Sequence, residues 1–344
     1  MAKILITGGA GFIGRHMTHR LLEDGHEVHV VDSIAPDTGG LDVNSVWPLF
    51  EPRDFRQFFF YKEDCRDWFR RVTSTDFDYA FHLAAVVGGR AMIANNPLAV
   101  ADNLSIDSAY WQWAKIARPR KTLCFSSSAA YPISLQREHH HVLLKEDMIS
   151  FNDNIGMPDT TYGWAKLTCE YLARLAFTRH GLNSVCYRPF SVYGEDQDDA
   201  YPFPSICKRA IKYRGSSELT VWGTGTQMRD FIHIDDFVEG ILTTMDKIDD
   251  GDAVNLSTGQ LTTIIEFARI ATNRLGYHPH IRGSLHQPVG VHARGGDTAK
   301  QIQLGFKHTV EFSTGVARAL NYYGGVIPRL APNRSRACPY GSRP

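Results

Sequence analysis

A chain of 344 residues with 43% hydrophobic content can bury a large core, and at about 150 residues per domain it suggests two domains or one with a large lobe. Its 37 basic and 37 acidic residues balance, which argues against nucleic acid or a membrane surface as a main partner. Six cysteines, at 65, 124, 169, 186, 207 and 338, are scattered with no Cys-x-x-Cys pair. They read as reduced core residues in a cytoplasmic protein, with no charged-then-apolar leader and no apolar run near the ~18 residues that span a bilayer.

The first predicted element is a strand, Lys3-Ile4-Leu5-Ile6. It runs into Thr7-Gly8-Gly9-Ala10-Gly11-Phe12-Ile13-Gly14 and then an amphipathic helix over His16 to Asp24. Gly8 permits a tight turn, Gly11 lets the backbone approach a pyrophosphate and Gly14 lets the helix pack on the strand, while N–H groups at the helix start attract phosphate. A second strand, Glu27 to Val31, ends at Asp32, about 20 residues on, where a dinucleotide fold places its ribose-binding carboxylate. That acid would repel a 2′-phosphate, so NAD is expected rather than NADP. Together these features favour a dinucleotide cradle over an ordinary glycine-rich turn.

Pro36 to Arg53 is irregular. Gln57 to Tyr61 reads as a third strand ending at Asp64, which is either an adenine ligand or a solvated loop acid. Ala80 to Ala85 is the fourth strand, Pro97 to Ala117 a long helix carrying Asn103, and Lys121 to Phe125 the fifth strand, which leads into Ser126-Ser127-Ser128-Ala129-Ala130-Tyr131-Pro132. This rhythm implies an α/β, Rossmann-type doubly wound parallel sheet with ligands off the carboxyl ends of its strands. Ile133 to Asp159 has weak periodicity; its His139-His140-His141 cannot converge on one point, so a solvent-facing loop and no metal site are expected. An amphipathic helix then runs from Thr161 to about Arg179.

Tyr162 and Lys166 are four apart on that helix and share a face. An ammonium beside a phenol stabilises the phenolate, so that a tyrosine can serve as a base near neutral pH. Alone, Tyr-x-x-x-Lys is common on exposed helix faces. Here it follows a serine-rich strand end in a chain that opens with a dinucleotide site.

At this point the chain resembles the extended short-chain dehydrogenase/reductases, specifically the nucleotide-sugar epimerases and dehydratases, from Lys3 to about Tyr323. The matching stretches are Gly8 to Gly14, Asp32, Asp64, His82-Leu83-Ala84-Ala85, Asn103, the serine cluster and Tyr162-Gly163-Trp164-Ala165-Lys166. Arg188-Pro189-Phe190-Ser191-Val192-Tyr193-Gly194 and Trp222 to Phe231 continue the likeness. The resemblance implies that Tyr162 is the base, that Lys166 binds the nicotinamide ribose and tunes it, and that a serine shares the substrate hydroxyl. Counting back four from Tyr131 gives Ser127, the preferred choice; counting along the strand allows Ser128. It further implies NAD contacts from Gly8, Gly11, Phe12, Ile13, Gly14, Asp32, Asp64, Leu83, Ala84, Ala85, Asn103, Lys166 and Pro189. A nucleotide-diphosphate sugar would meet Gly88, Arg90, Ser128, Ser191, Arg229, Arg294 and Asp297.

The subclass turns on what accompanies the serine. Family members that eliminate water carry an Asp-Glu pair there, whereas Ser128, Ala129 and Ala130 have no proton to move at neutral pH. Hydride removal from a sugar C4–OH, rotation and hydride return need only the tyrosine and serine, which favours a 4-epimerase over a dehydratase or a net oxidoreductase. His82 to Arg90, Phe203 to Ala210 and Val291 to Asp297 look most like the GDP-mannose 3,5-epimerase branch. That branch uses a cysteine two residues before the strand-end tyrosine, for which Ala130 is read as the counterpart, and a lysine that Glu195 to Asp199 does not supply.

Residues 1–188 are expected to form the NAD-binding domain and 189–328 mainly a smaller α/β substrate lobe, with some segments returning to the first domain. Residues 329–344 are expected to be a disordered tail. Helices are expected at Asp235 to Lys247 and Thr262 to Leu275. Relatives pair through the helices around 97–117 and 160–179, so the resemblance implies a homodimer. A non-catalytic NAD-binding protein on the same fold is the reading from a different class.

Overall fold

The computed structural model describes residues 1–35, 39–73, 76–88, 90–153, 155–286 and 290–325, the side chains of residues 90, 91 and 94 aside. The tail expected over 329–344, Cys338 and the Arg90 side chain therefore lie outside the described residues.

Seven strands form one parallel sheet: β1 (Lys3–Thr7), β2 (Glu27–Asp32), β3 (Phe58–Lys62), β4 (Tyr79–His82), β5 (Lys121–Phe125), β6 (Ser184–Pro189) and β7 (Asp250–Leu256). Their order is β7-β6-β5-β4-β1-β2-β3. The order reverses between β1 and β4, whose residues Ile4 and Tyr79 begin the shared register, and a crevice opens there beyond the carboxyl ends.

Strand side chains alternate between faces, and both faces are buried. Ile4, Ile6, Val28, Val30, Phe81 and Val254 pack under the glycine helix (Phe12–Glu23) and the helix Ile234–Thr244. Leu5, Val31, Ala80, Cys124 and Cys186 face Tyr110, Trp113, Cys169 and Ala173 on the helices Asn103–Ala117 and Thr160–His180. A separate aromatic core built on Tyr193, Phe203, Phe231 and Phe267 holds the lobe together.

Three elements differ from expectation. The glycine helix begins at Phe12, so the phosphate-facing N–H groups stand directly after Gly11. The fourth strand ends at His82: Leu83 N still donates to Thr7 O at 2.9 Å, but the Gly8 turn then crowds Ala84, whose N would lie 2.5 Å from a Cβ at Gly8. The long helix divides at Asp102 into Pro97–Ala101 and Asn103–Ala117, where Arg66 grips the Asp102 carboxylate at 2.8 and 3.0 Å. The exposed histidines His140 and His141 form one arm of a small hairpin with Gln136–Arg137. Thr263 caps the helix Ile264–Arg274 by accepting from Glu266 N at 3.0 Å.

Candidate active site

A cavity of about 1640 Å³ runs along the crevice and under the lobe. One end is the glycine turn. Gly8 has φ of 73°, and a Cβ on Gly14 would stand 2.2 Å from Gly8 O, so both positions are closed to side chains by the backbone itself. Gly11 is different: its Cβ would meet only Gly8 O, at 3.4 Å, and the residue lines the cavity. Space kept open at the start of a helix with no side-chain cap fits a pyrophosphate.

Asp32 closes this end. Its oxygens accept from Ala10 N at 3.0 Å and Ile34 N at 2.9 Å, and burial raises its carboxyl pKa against those bonds. Asp64 caps the helix Cys65–Arg71 through Arg66 N at 2.8 Å and is paired with the Arg66 guanidinium, which holds its pKa down. Leu83, Ala84 and Ala85 bring bare backbone along the crevice floor.

The candidate reactive side chains, Ser127, Tyr162 and Lys166, all line the cavity. Ser127 Oγ accepts from Ala129 N at 3.1 Å, which leaves its own hydrogen to donate. Ser127 lines the cavity, whereas Ser128 is 6% exposed and does not. Lys166 Nζ lies 5.8 Å from the centre of the Tyr162 ring. Burial opposes the Lys166 charge, yet Tyr162 and then Asp107 attract it strongly enough to leave its pKa above the usual lysine value. Two residues before Tyr162, Thr160 takes φ of 60°, a conformation that costs a β-branched residue about 1–3 kcal/mol. It follows Asp159, whose carboxylate pairs with Arg294 at 2.9 Å.

At the lobe end, Arg229 and Arg294 are register partners in the parallel pair Met228–Arg229 and Ala293–Arg294, and both line the cavity. Arg229 also donates to Met228 O at 2.7 Å, and Arg294 to Gln136 Oε1 at 2.6 Å. Pro189, Ser191 and Gly88 lie on the wall.

One cavity thus brings a glycine-rich turn together with a serine, a tyrosine and a lysine. The model of the NAD dependent epimerase/dehydratase family matches residues 4–257. The chain belongs to that family. It is 31% identical over 271 residues to an uncharacterized UDP-glucose epimerase of Bacillus subtilis (strain 168), covering 77% of this chain and 79% of that one. It is 28% identical over 326 residues to GDP-mannose 3,5-epimerase 1 of Oryza sativa subsp. indica, covering 91% and 79%. The solved structure of UDP-glucose 4-epimerase from Thermotoga maritima, with UDP-glucose, matches with a TM-score of 0.79 at 25% identity over 94% of this chain and 99% of that one. As a member of the epimerase/dehydratase family the chain is an NAD-dependent enzyme, and the glycine turn and Asp32 are the residues that could hold that cofactor.

Three expected site residues stand apart from the cavity. Asn103 is fully buried; its Oδ1 accepts from Val86 N at 2.7 Å and its Nδ2 donates to Val86 O and Val100 O, so it shapes the loop after β4 from behind. Asp297 accepts from Ala299 N at 2.9 Å and serves the start of a short helix. Ser128 is the third. The alanine that faces the cavity is Ala129, two residues before Tyr131, and Ala130 is fully buried, so the thiol position of the 3,5-epimerase branch corresponds to Ala129 rather than Ala130.

Other residues escaped the sequence reading. Arg15 lines the cavity, is 3% exposed, and donates to Ala10 O, Gly39 O and Asp196. Asp196 also takes His16 Nε2 at 2.7 Å. Burial works against the Asp196 charge, but His16 and Arg15 outweigh it and hold the carboxyl down at about 2. No helix among the described residues is long and apolar enough to cross a membrane.

Proposed function

We propose that this enzyme inverts C4 of a nucleotide-diphosphate sugar through a transient 4-keto sugar. The supporting observation is the composition of the wall beside Ser127. Ala129 faces the cavity where a dehydratase or 3,5-epimerase needs a second proton-moving group, and tyrosine-serine chemistry alone suffices for C4. Bound NAD supplies the hydride acceptor and donor. Ser127 Oγ–H donates to the substrate C4 oxygen and orients it, while Tyr162 Oη takes the hydroxyl proton and later returns it. The Lys166 ammonium stands beside that base, 5.8 Å from the centre of the Tyr162 ring. Arg229 and Arg294 hold the diphosphate, for which planar guanidinium groups are suited.

The homodimer and a cytoplasmic setting belong to this proposal as well. The helices Asn103–Ala117 and Thr160–His180 leave Leu104, Ile116, Trp164, Tyr171 and Phe177 exposed, an apolar set that a second copy would cover. Sedimentation of the purified protein at micromolar concentration checks this; a monomer throughout rules it out.

The test of the reaction is incubation with UDP-, GDP-, CDP- and dTDP-sugars, followed by proton NMR and mass spectrometry. A product of unchanged mass with an altered C4 coupling is expected. Loss of water, or a change in mass by two hydrogens, would replace C4 epimerisation with dehydration or net oxidoreduction.

A further inference from the structure

One guanidinium at the outer end of the cavity carries more bonds than stability requires. The sheet runs outward from β1 through β2 to β3, and Asp32 at the end of β2 is the register partner of Lys62 at the end of β3. Asp64 follows closely, so it stands one strand beyond the acid expected to take the ribose, on the side away from the glycine turn. A dinucleotide whose pyrophosphate lies at that turn carries its base toward Asp64. Arg66 is committed to this spot. Its Nε lies 3.0 and 3.2 Å from the two Asp64 oxygens and its Nη2 2.6 Å from Oδ2. Its Nη1 donates to Asp102 at 2.8 and 3.0 Å and to Ser105 Oγ at 2.7 Å. Asp64, Arg66 and Asp102 all line the cavity, with side chains 34%, 27% and 42% exposed. Ion pairs this exposed add little to stability, so what the arrangement holds in place explains it better than what it contributes to folding.

We infer that Arg66, anchored on Asp102, is a positioning residue that sets the selectivity of the cofactor site for a 6-aminopurine by fixing the Asp64 carboxylate. An adenine contact from Asp64 is what the family resemblance implies; the part assigned to Arg66 comes from its own bonds. Arg66 N also donates to Asp64 Oδ1, at 2.8 Å. Arg66 N, Nε and Nη2 thus set three N–H groups against about four lone-pair sites, and one acceptor site remains. Hydrogen bonds from the guanidinium hold the Asp64 pKa below the ordinary aspartate value, so at neutral pH the carboxylate can only accept. An exocyclic amino group fills that site, whereas a 6-oxo group sets a second acceptor against it and is repelled. Asp102 gives the guanidinium a second fixed point at the head of the helix Asn103–Ala117, where Asn103 grips Val86 N and O in the loop after β4. The base edge and the crevice floor are thereby joined through neighbouring residues of one helix.

The test is equilibrium dialysis of the cofactor-stripped protein with NAD and with nicotinamide hypoxanthine dinucleotide, which carries an oxo group in place of the purine 6-amino group. The parent is expected to bind the hypoxanthine form at least about tenfold more weakly, the effect of one lost charge-assisted hydrogen bond. In Arg66→Met the two dissociation constants should come within about threefold of each other, while the melting temperature of the cofactor-free protein drops by no more than about 2 °C. Asp102→Asn, which leaves Arg66 in place and removes its anchor, should narrow the same ratio by at least about threefold; an unchanged ratio there overturns the anchoring role. A ratio unchanged in Arg66→Met overturns the inference, and so does an equal weakening of both dinucleotides, which would mark a clamp that serves the fold alone. A parent that binds the two forms alike overturns it too. If Arg66→Met does not fold, Arg66→Lys, which keeps the charge without the fork, takes its place with the same expectation. No sugar enters these measurements, so failure here is separate from failure of the C4 proposal.

Discussion

The placement of Tyr162 and Lys166 depends on a buried ion pair one turn further along their helix, and breaking it tests how that placement is enforced. Glu170 follows Lys166 by four residues and lies on the same face. Its carboxylate accepts from Arg188 Nε at 3.0 Å and Nη2 at 2.7 Å, with Ser126 Oγ donating to it as well, and the two side chains are 2% and 3% exposed. Arg188 Nη1 also donates to Tyr131 Oη at 2.8 Å and Glu146 O at 3.0 Å. The helix, β6 and the segments after β5 therefore meet on this ion pair. Glu170→Ala would strand that charge in the core, at a cost of about 3–5 kcal/mol. With an unfolding entropy of about 2.1 cal/mol/K per residue over the chain, this corresponds to a melting temperature about 4–7 °C lower. Replacing both partners by apolar residues of similar volume, Glu170→Leu with Arg188→Met, should cost less than the two single changes together, because no charge is then left unpaired. Urea unfolding followed by tryptophan fluorescence measures all four proteins. A loss below about 1 kcal/mol for Glu170→Ala, or simple additivity in the double variant, would refute the reasoning. In the folded single variant, kcat should fall while NAD is retained.

Gly14→Ala should abolish NAD retention, since its Cβ would lie 2.2 Å from Gly8 O and 2.6 Å from Gly9 Cα; equilibrium dialysis with NAD checks it. Asp196→Asn should cost about 2 kcal/mol near pH 7, from a carboxyl held at about 2, below the ordinary aspartate value of 3.8. Because the folded-state pKa is the depressed one, this contribution is complete above pH 4 and fades as pH falls toward 2, so the variant and parent denaturation curves should converge over that window. Arg229→Ala should raise KM about 10–100-fold for the diphosphate sugar, the worth of charge-assisted hydrogen bonds; an unchanged KM would make Arg229 structural.

The glycine turn and the first five strands were legible because each is decided locally, by apolar runs of strand length and by a turn that only glycine can make. The tyrosine-lysine spacing was legible for the same reason. What the sequence concealed is long-range. Arg15 and Asp196 are 181 residues apart, and neither sits in a pattern that requests the other. Ile133 to Asp159 showed weak periodicity because its contacts are distant: Leu144 N donates to Gly295 O and Asn255 Nδ2 to Leu144 O. Asn103 and Asp297 carry the family pattern, but their side chains are committed to the backbone, which spacing cannot reveal. β7, Asp250-Gly251-Asp252-Ala253-Val254-Asn255-Leu256, offers only a short apolar run and joins the sheet through its fit beside β6.

The lobe end of the cavity explains why an anionic ligand suits this fold. Like charges set directly opposite on neighbouring strands repel, yet Arg229 and Arg294 are register partners. The fold enforces that arrangement. Asp230, fully buried, accepts from Thr258 N, Thr258 Oγ1, Gly259 N and Gly296 N, which ties the strand of Arg229 to the segments carrying Gly259 and Arg294. Burial raises the Asp230 pKa while those four donors oppose it. One guanidinium is partly neutralised by Asp159, at the head of the helix that carries Tyr162. A diphosphate bridging the two arginines would relieve their repulsion and load the Asp159 link beside Thr160. Binding energy from the part of the substrate that does not react would thereby reach the residues that hold the base in place.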